Sequence, residues 1–365
     1  MSGRYQIVVL PGDGIGPEIT EAGLLVLEAA ARDGGFEIET ELLPAGAVAI
    51  EAYGDPLPTH VLEAALGADA VLLGAVGLAH PPPLGEPRPE EAILRLRVAL
   101  GAFVDLRRGR CLPGLEHVSA LRPELASRVD MIVVREVAGG IFYGEPRGLE
   151  RTEGRRVAVD TCRYDEQEIR RVVEVACQIA TTRDGRVCSV DKANVMYTGR
   201  LWREVATEVA AEHGDVEVEH LLVDAAAARM VADPASFDVV VTENLFGDIL
   251  SDTLAGVVGS SAMVPSASVG GRTGLFEPIH GSAPDIAGRG SANPVGMMLA
   301  LVGLLAIGLG EHAAAAAVEG ALLAAVAGGA RTADIAQRGE RALTSREFTE
   351  CVIQELAARP RPVVA

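Results

Sequence analysis

The sequence has almost no lysine, although it contains 365 residues and 32 basic side chains. Lys192 is the single lysine, and the other 31 basic residues are arginines. Arginine serves wherever only a positive charge is needed, but its guanidinium stays protonated, whereas burial and neighbouring charges can make a lysine amine lose its proton. Lys192 is therefore a candidate for proton transfer, and the alternative is a structural lysine left over by chance.

Cysteine is also scarce, and its spacing is uninformative. The five cysteines include no Cys-x-x-Cys pair, which argues against a disulfide framework and against a zinc knuckle. The first residues also lack the charged-then-apolar pattern of an export signal. A reducing cytoplasm is the compartment that these features favour.

Long apolar runs and basic tracts are missing as well. The most apolar stretch, 297–310, has 14 residues, and a bilayer core of roughly 30 Å needs more at about 1.5 Å per helical residue. It predicts a buried helix. The formal charge of −19 is not offset by any local lysine- or arginine-rich tract, so it repels phosphate backbones and anionic membranes. No nucleic-acid or membrane partner is expected.

Short apolar runs alternate with helical patterns along the chain, which indicates an α/β protein with a largely parallel sheet. The charged and β-branched segment 147–163 predicts a protruding strand pair. Prolines over 80–89 predict a loop that leads into a helix over 90–100. The apolar runs themselves lie at 6–10, 70–76, 131–134, 187–190, 221–223 and 237–241.

Two aspartates in Phe-Gly-Asp-Ile-Leu-Ser-Asp, Asp248 and Asp252, are four residues apart and share one side of a helix. Like charges at this spacing repel unless a divalent cation lies between them, and hard oxygen ligands suit Mg²⁺ or Mn²⁺. Asp224 is a third candidate ligand, because it ends the run 221–223 and carboxylates at strand ends often line ligand crevices. The alternative is a solvated acidic face.

Three arginines have positions that favour a binding role. Arg97 lies on the helix after the proline loop, Arg107 lies in Phe-Val-Asp-Leu-Arg, and Arg135 ends the run Met-Ile-Val-Val-Arg. The planar guanidinium can bind a carboxylate through two parallel hydrogen bonds, so three converging arginines would suit a substrate with several carboxylates. The alternative, surface arginines in an arginine-rich chain, is strongest for Arg107 because Arg108 and Arg110 stand beside it.

Two glycine-rich segments could contact a cofactor. Pro-Gly-Asp-Gly-Ile-Gly-Pro-Glu, 11–18, joins a strand to a helix but lacks the Gly-x-Gly-x-x-Gly spacing of the Rossmann fingerprint. The second segment, 277–288, offers backbone donors for phosphates. His280, Asp285 and Asn293 lie in or after it and could contact the sugar and base.

Together these motifs resemble the metal-dependent β-decarboxylating dehydrogenases, which include isocitrate, isopropylmalate, homoisocitrate and tartrate dehydrogenases. The motifs follow the family order from about residue 7 to the end of the chain, with the isopropylmalate members most similar. The resemblance implies oxidation at C2 of a 3-substituted malate with hydride transfer to NAD, followed by loss of the neighbouring carboxylate as CO2.

The resemblance also implies a non-Rossmann α/β fold with a discontinuous first domain, 1–102 and 259–365, and a central domain, 103–258. The central domain would pair with its twin in a homodimer with shared active sites. The implied roles are substrate carboxylate binding by Arg97, Arg107 and Arg135; metal binding by Asp248, Asp252 and Asp224 of the partner subunit; proton transfer by Lys192 of the partner subunit; and NAD binding by Ile15, His280, Gly281, Ser282, Ala283, Asp285 and Asn293.

Cofactor and substrate preferences follow from a few positions. The carboxylate of Asp285 can accept hydrogen bonds from both ribose hydroxyls and would repel a 2′-phosphate, so NAD is favoured over NADP. Ile93 and Leu94 lie where isopropylmalate members place apolar residues against the substrate, which predicts an apolar 3-substituent. A larger alkyl or aryl malate is an alternative, because a hydrophobic pocket discriminates one methylene by only about 1 to 3 kcal/mol. Homoisocitrate or tartrate in a secondary pathway is a further alternative substrate.

One motif departs from the family pattern. The family reads Gly-Gly-Ile-Tyr, with the tyrosine protonating the enolate, whereas this chain has Gly-Gly-Ile-Phe142-Tyr143. Tyr143 is the remaining candidate acid, but in an extended segment it would point to the opposite face from residue 142. Two further alternatives are a slow, regulatory subunit of the same fold and a dehydrogenase that does not decarboxylate.

Overall fold

A computed structural model describes residues 3–359 of the chain. The predicted domain boundaries at residues 1 and 365 therefore fall outside the described residues. The strands, in chain order, are β1 (Arg4–Gly12), β2 (Glu37–Leu42), β3 (Ala70–Ala75), β4 (Val104–Arg110), β5 (Asp130–Glu136), β6 (Gly144–Thr152), β7 (Arg155–Thr161), β8 (Arg186–Asp191), β9 (Glu217–Leu222), β10 (Val239–Thr242), β11 (Pro265–Val269) and β12 (Gly274–Pro278).

Ten of these strands form one sheet, in the order β2-β1-β3-β12-β11-β4-β5-β10-β8-β9. Pairing is parallel except where β11 meets β12 and β4, and where β4 meets β5. The order differs from the 3-2-1-4-5-6 arrangement of the Rossmann fold. The predicted α/β class, with a mostly parallel, non-Rossmann sheet, is confirmed. So is the small arm, because β6 and β7 pair as a separate, largely exposed antiparallel ribbon.

Helices cover both faces of the sheet. They are α1 (Gly16–Gly34), α2 (Ala47–Tyr53), α3 (Thr59–Gly67), α4 (Glu91–Ala99), α5 (Pro123–Ala126), α6 (Glu166–Thr181), α7 (Tyr197–Glu212), α8 (Val223–Ala232), α9 (Asn244–Val258), α10 (Val295–Gly303), α11 (His312–Ala327) and α12 (Ser345–Ala358). Most of the apolar stretch at 297–310 is buried as predicted, although Ile307 is 51% exposed. Its helix α10 ends at Gly303 and a π-helical segment, Leu304–Gly308, follows. No helix within residues 3–359 is both long and apolar enough to cross a membrane.

The largest buried cluster forms where α1, α10, α11 and α12 pack together against β1, β3 and β12, and it includes Ile7, Phe276 and Phe348. A second cluster lies between α6, α7 and the central strands, with Trp202 fully buried. Burial of these large side chains is the main stabilising contribution to a domain of this size.

Side-chain alternation along β4 separates two environments. Asp105 and Arg107 face the side of the sheet covered by α4 and α9, whereas Leu106, Arg108 and Arg110 face the opposite side. This alternation decides which arginines of the Leu-Arg-Arg-Gly-Arg run can reach a common cleft.

One sequence expectation about an element is wrong. The run 221–223 is not wholly strand, because β9 ends at Leu222 and Val223 begins α8. The alanine-rich sequence after Asp224 is a strong helix former, so the helix begins early. Asp224 therefore lies in the first turn of a helix and not at the end of a strand.

Candidate active site

A cleft of about 340 Å³ lies between α4 and α9, on the side of the sheet that carries Arg107. This volume is in the range of small-molecule sites. Its walls come from α4, the ends of β4 and β5, the start of α9 and the segment after β12. The predicted site residues that line it are Ile93, Leu94, Arg97, Arg107, Arg135, Asp248, His280 and Gly281.

Arg97 lies in the last turn of α4 and is only 5% exposed. Its Nε donates to Ser268 Oγ at 3.0 Å, and its Nη2 donates to Glu277 Oε1 at 3.2 Å and to Asp105 Oδ2 at 3.5 Å. These bonds fix the guanidinium against β11 and β12. The buried partners compensate a charge that would otherwise be costly to remove from water.

Arg107 is buried in the same place. Its Nε donates to Asp105 Oδ2 at 2.8 Å, and its Nη1 donates to Ser251 Oγ at 2.7 Å and to Asp248 Oδ1 at 3.4 Å. Arg108 and Arg110 point away from the cleft and pair with acids on the other face of the sheet. Of the three neighbouring arginines, only Arg107 reaches the cleft.

Arg135 is the penultimate residue of β5 and lies directly opposite Asp105 in the register of β4 and β5. Its Nε and Nη2 donate to Asn244 Oδ1 at 3.1 and 2.8 Å, and its Nη1 bonds Asp248. Burial and the charges of Arg107 and Arg97 lower the pKa of Arg135 to about 10. The three arginines named from the sequence thus converge in one buried, cationic wall.

The protein partners of these arginines limit how each one can bind a ligand. Within residues 3–359, Nε and one Nη of both Arg97 and Arg107 are engaged, which leaves Nη1 of Arg97 and Nη2 of Arg107 without a hydrogen-bond partner. Each can offer one terminal nitrogen to a carboxylate.

Asp248 and Asp252 lie one turn apart on α9, as the spacing predicts. Asp248 has a side chain that is 42% exposed and faces the cleft. Partial burial and the charge of Asp248 raise the pKa of Asp252 despite the opposing effect of Arg107. Two hard carboxylates in this arrangement fit Mg²⁺ or Mn²⁺, which would relieve their repulsion.

The third predicted metal ligand lies elsewhere in the chain. Among the described residues, no group of three or more His, Cys, Asp or Glu side chains is close enough to hold a metal ion. Asp224 instead forms an ion pair with Lys192, which follows β8. A hydrogen bond from Lys192 lowers the pKa of Asp224. One subunit therefore carries two separate parts of the predicted site.

Exposed apolar side chains flank the lysine. Val195 is 68% exposed, and Tyr197, which begins α7, is 86% exposed. Exposed apolar side chains that lie together on a surface can mark a site of contact with another protein. The segment from Lys192 to Tyr197 is thus an apolar and charged surface beside strand β8.

Phe142 and Tyr143 do not lie in an extended segment. Gly140–Phe142 forms one 3₁₀ turn, which directs the Phe142 ring into the cleft, 5.7 Å from the Arg135 guanidinium carbon. The Tyr143 hydroxyl faces the backbone carbonyl of Leu94 at 3.4 Å, and burial raises its pKa. Tyr143 does not line the cleft, so its position does not support the role of general acid predicted for it.

The two glycine-rich segments pack against each other. Ile15 donates its backbone N–H to Ser282 O at 2.8 Å, and Ser282 Oγ donates to Gly77 O. Gly14 has φ +57°, and a Cβ there would lie 1.9 Å from Ser282 O, so only glycine fits this close approach. The predicted residues of both segments are therefore neighbours.

Other residues predicted to bind the cofactor differ in availability. Asp285 and Gly281 are exposed beside these segments, and Ala283 takes a positive φ. Burial lowers the pKa of His280, whose Nδ1 lies 2.9 Å from Gly281 O. Asn293 is buried and bonds Asp334 and the Val295 N–H, so its side chain already has internal partners.

Several site residues are absent from the sequence-based set. Asp105 is buried behind the arginines, Glu277 is buried but reaches the cleft lining beside Arg97, and Asn244 orients Arg135. Asp13 accepts the backbone N–H groups of Ala47, Val48 and Gly77 and fixes the first glycine segment. Strand alternation could have identified one of these residues from the sequence. Asp105 precedes Arg107 by two residues in a strand, so both side chains lie on the same face of the sheet.

These features define an α/β protein with a buried cationic wall, a carboxylate pair and two apposed glycine-rich segments around one cleft. The chain belongs to the isocitrate/isopropylmalate dehydrogenase family, which matches residues 6–352. The resemblance seen in the sequence is confirmed, and the protein is a dehydrogenase of this family.

Individual relatives cover the whole chain. A 3-isopropylmalate dehydrogenase of Gloeobacter violaceus is 49% identical over 365 residues, which cover 99% of this chain and 100% of the relative. One from Anaeromyxobacter dehalogenans is 48% identical and covers 96% and 99%. The crystal structure of isocitrate dehydrogenase from Methylococcus capsulatus superimposes with a TM-score of 0.86 at 31% identity, covering 96% and 99%.

Proposed function

We propose that the protein oxidatively decarboxylates (2R,3S)-3-isopropylmalate to 4-methyl-2-oxopentanoate and CO2, a step of leucine biosynthesis, with NAD and Mg²⁺ or Mn²⁺. The convergence of three buried arginines with Asp248 and the apolar side chains of α4 in one cleft carries this proposal. Relatives named 3-isopropylmalate dehydrogenase that are 49% identical support the same substrate.

The cleft separates a charged and an apolar part of the substrate. Nη1 of Arg97 and Nη2 of Arg107 bind carboxylate oxygens, and Arg135 adds positive charge from the opposite strand. Ile93 and Leu94 line the apolar side, where an isopropyl group loses water contact. This division orients C2 of the malate towards α9.

Asp248 and Asp252 hold the divalent cation, together with Asp224 of the partner subunit. When bound, the cation makes the 2-hydroxyl more acidic and polarises the 2-oxo group that forms from it. Lys192 of the partner subunit would move the proton, because an amine can give up and accept a proton whereas a guanidinium stays protonated.

We propose a homodimer because Lys192 and Asp224 lie apart from the metal pair of their own chain. Their ion pair adjoins the exposed Val195 and Tyr197, which suit an interface with a second copy. The division into a discontinuous domain, 1–102 and 259–365, and a central domain, 103–258, is part of this proposal. The free cysteines of the described chain suit a cytoplasmic enzyme.

NAD binds across the two glycine-rich segments in this proposal. The exposed Asp285 accepts hydrogen bonds from the ribose hydroxyls and disfavours a 2′-phosphate. Ile15, His280, Gly281, Ser282 and Ala283 contribute backbone and side-chain contacts along the cofactor. Asn293 supports the segment through its internal bonds.

The test is NADH formation with Mn²⁺ against malate and its 3-methyl, 3-isopropyl, 3-phenyl, 3-carboxymethyl and 3-hydroxy derivatives. The highest kcat/KM is expected for 3-isopropylmalate, and EDTA should abolish the rate. A preference for the phenyl, carboxymethyl or hydroxy compound would replace the proposed substrate. Absence of NADH with every compound would favour a regulatory subunit.

A further inference from the structure

We propose that Asp105 is a specificity-determining positioning residue that restricts the cleft to substrates with two carboxylates. Arg97, Arg107 and Arg135 form the arginine wall of the cleft. The negative charge of Asp105, on the side of this wall away from the cleft, would offset part of its positive charge. The proposal rests on the proposed function only in taking a 3-substituted malate as the ligand. It concerns a buried aspartate on β4 that does not line the cleft.

Asp105 is 0% exposed and lies behind the arginines. Its Oδ2 accepts the bonds from Arg107 at 2.8 Å and from Arg97 at 3.5 Å, and its Oδ1 accepts a bond from Ser266 Oγ at 2.6 Å. One carboxylate oxygen thus contacts two of the three arginines. Asp105 binds Nη2 of Arg97 and Nε of Arg107, so Nη1 of Arg97 and Nη2 of Arg107 are the nitrogens left for a ligand.

The buried charges around the cleft nearly cancel. Three arginines contribute positive charge, and the carboxylates bonded to them are the buried Asp105 and Glu277 and the half-exposed Asp248. Although burial acts to raise it, the charges of Arg107 and Arg97 hold the pKa of Asp105 well below its usual range. Burial raises the pKa of Glu277. Asp105 therefore carries its negative charge behind the arginines.

This balance has a direct consequence for the ligand. With Asp105 ionised, the carboxylates bonded to the three arginines offset most of their positive charge. A further carboxylate on the 3-substituent would lie beside apolar Ile93 and Leu94. The two other arginines that line the cleft already have partners, because Arg88 pairs with Glu91 and Arg147 bonds the Phe142 carbonyl. Removing the charge of Asp105 should favour such a tricarboxylate more than it favours a dicarboxylate.

The test compares the dissociation constants of two malates, one with an isopropyl group and one with a carboxymethyl group at C3. Only the second has a third carboxylate. Calorimetry with Mn²⁺ gives Kd for 3-isopropylmalate and for 3-carboxymethylmalate (isocitrate) in wild type and in Asp105→Asn. Asparagine preserves the shape and can still bond Arg107 and Ser266. A unit charge at about 8 Å in an effective dielectric near 20 predicts a shift of the Kd ratio towards the tricarboxylate by roughly tenfold or more.

The matched control is Asp130→Asn, which also breaks pairs with arginines of the sheet but lies at the far end of β5, away from the cleft. Its Kd ratio should equal that of wild type. If Asp105→Asn leaves the ratio unchanged, or weakens both ligands equally, Asp105 is merely structural and the proposal is overturned.

A second variant covers the case in which Asp105→Asn fails to fold. Glu277→Gln removes the other buried carboxylate bonded to Arg97 and should shift the ratio in the same direction. If Glu277→Gln leaves the Kd ratio unchanged, the buried carboxylates do not set the preference between the two ligands, and this result too would contradict the proposal. Turnover of 3-isopropylmalate by wild type is measured in parallel. Absence of turnover would contradict the proposed function, whereas the Kd ratios would still show whether Asp105 affects the preference between the two ligands.

Discussion

Exchange of the two aromatic residues after Gly-Gly-Ile tests how the product of CO2 loss acquires its proton. Phe142 lines the cleft, whereas the Tyr143 hydroxyl reaches only Leu94 O at 3.4 Å. A hydrogen bond of that length contributes at most about 1 kcal/mol. Tyr143→Phe should therefore keep kcat within about threefold of wild type, because no group in the cleft is lost.

Phe142→Tyr should have the opposite effect. The cleft has about 340 Å³ of space, enough for one added hydroxyl, and the ring already lies 5.7 Å from Arg135. A positioned general acid accelerates the step it serves by about 10²- to 10⁴-fold, so kcat should rise to the extent that protonation limits turnover. Phe142→Tyr with Tyr143→Phe should show the same gain as the single change.

The assay is steady-state NADH formation in H2O and D2O for wild type, both single variants and the double variant. If water protonates the product in wild type, the solvent isotope effect on kcat should fall once Phe142→Tyr places a phenolic hydroxyl in the cleft. The reasoning is refuted if Tyr143→Phe, with an unchanged melting temperature, loses about 10²-fold in kcat and Phe142→Tyr gains nothing. Tyr143 would then be the acid after a rearrangement of the 3₁₀ turn.

Three further predictions concern other parts of the molecule. Lys192→Arg should lose about 10²-fold or more in kcat while metal binding measured by calorimetry persists, because the charge stays but the titratable amine is lost; near-normal activity would exclude proton transfer by Lys192. Asp285→Lys should shift the NAD/NADP ratio of kcat/KM towards NADP, and an unchanged ratio would place the adenosine elsewhere. Glu136 is fully buried, and desolvation raises its pKa from 4.5 to about 7. The folded state then binds this proton more tightly, so stability should fall by roughly 3 kcal/mol as pH rises from about 4.5 to about 7. In urea titrations Glu136→Gln should flatten that slope, whereas an identical slope would assign it to other groups.

The three arginines of the cleft show how much of the site could be predicted from the sequence. Arg135 was identifiable because it ends a strongly apolar run, but its contact with Asp248 was not predicted from the sequence. Arg107 could not be separated from Arg108 and Arg110, because strand alternation gives relative faces and not which face meets the cleft. That choice depends on α9, which is distant in sequence and supplies Ser251.

Other features depend on contacts that no local pattern encodes. Asp105 is buried because two strands and α4 meet over it, and a lone aspartate in a strand ordinarily indicates an exposed position. The orientation of Phe142 depends on a 3₁₀ turn with Gly140 at φ +76°, which the expectation of an extended chain missed. The strand before Asp224 was predicted one residue too long, because β9 ends at Leu222 and Val223 already begins α8.

The most direct measurement uses 3-isopropylmalate labelled with ¹³C in the carboxylate attached to C3. NADH and labelled CO2 are followed together in one reaction with NAD and Mn²⁺. The proposed function predicts that the two products appear in equal amounts and that both disappear without the metal. NADH without labelled CO2 would make the protein a dehydrogenase that does not decarboxylate, and absence of both products would contradict the proposed function.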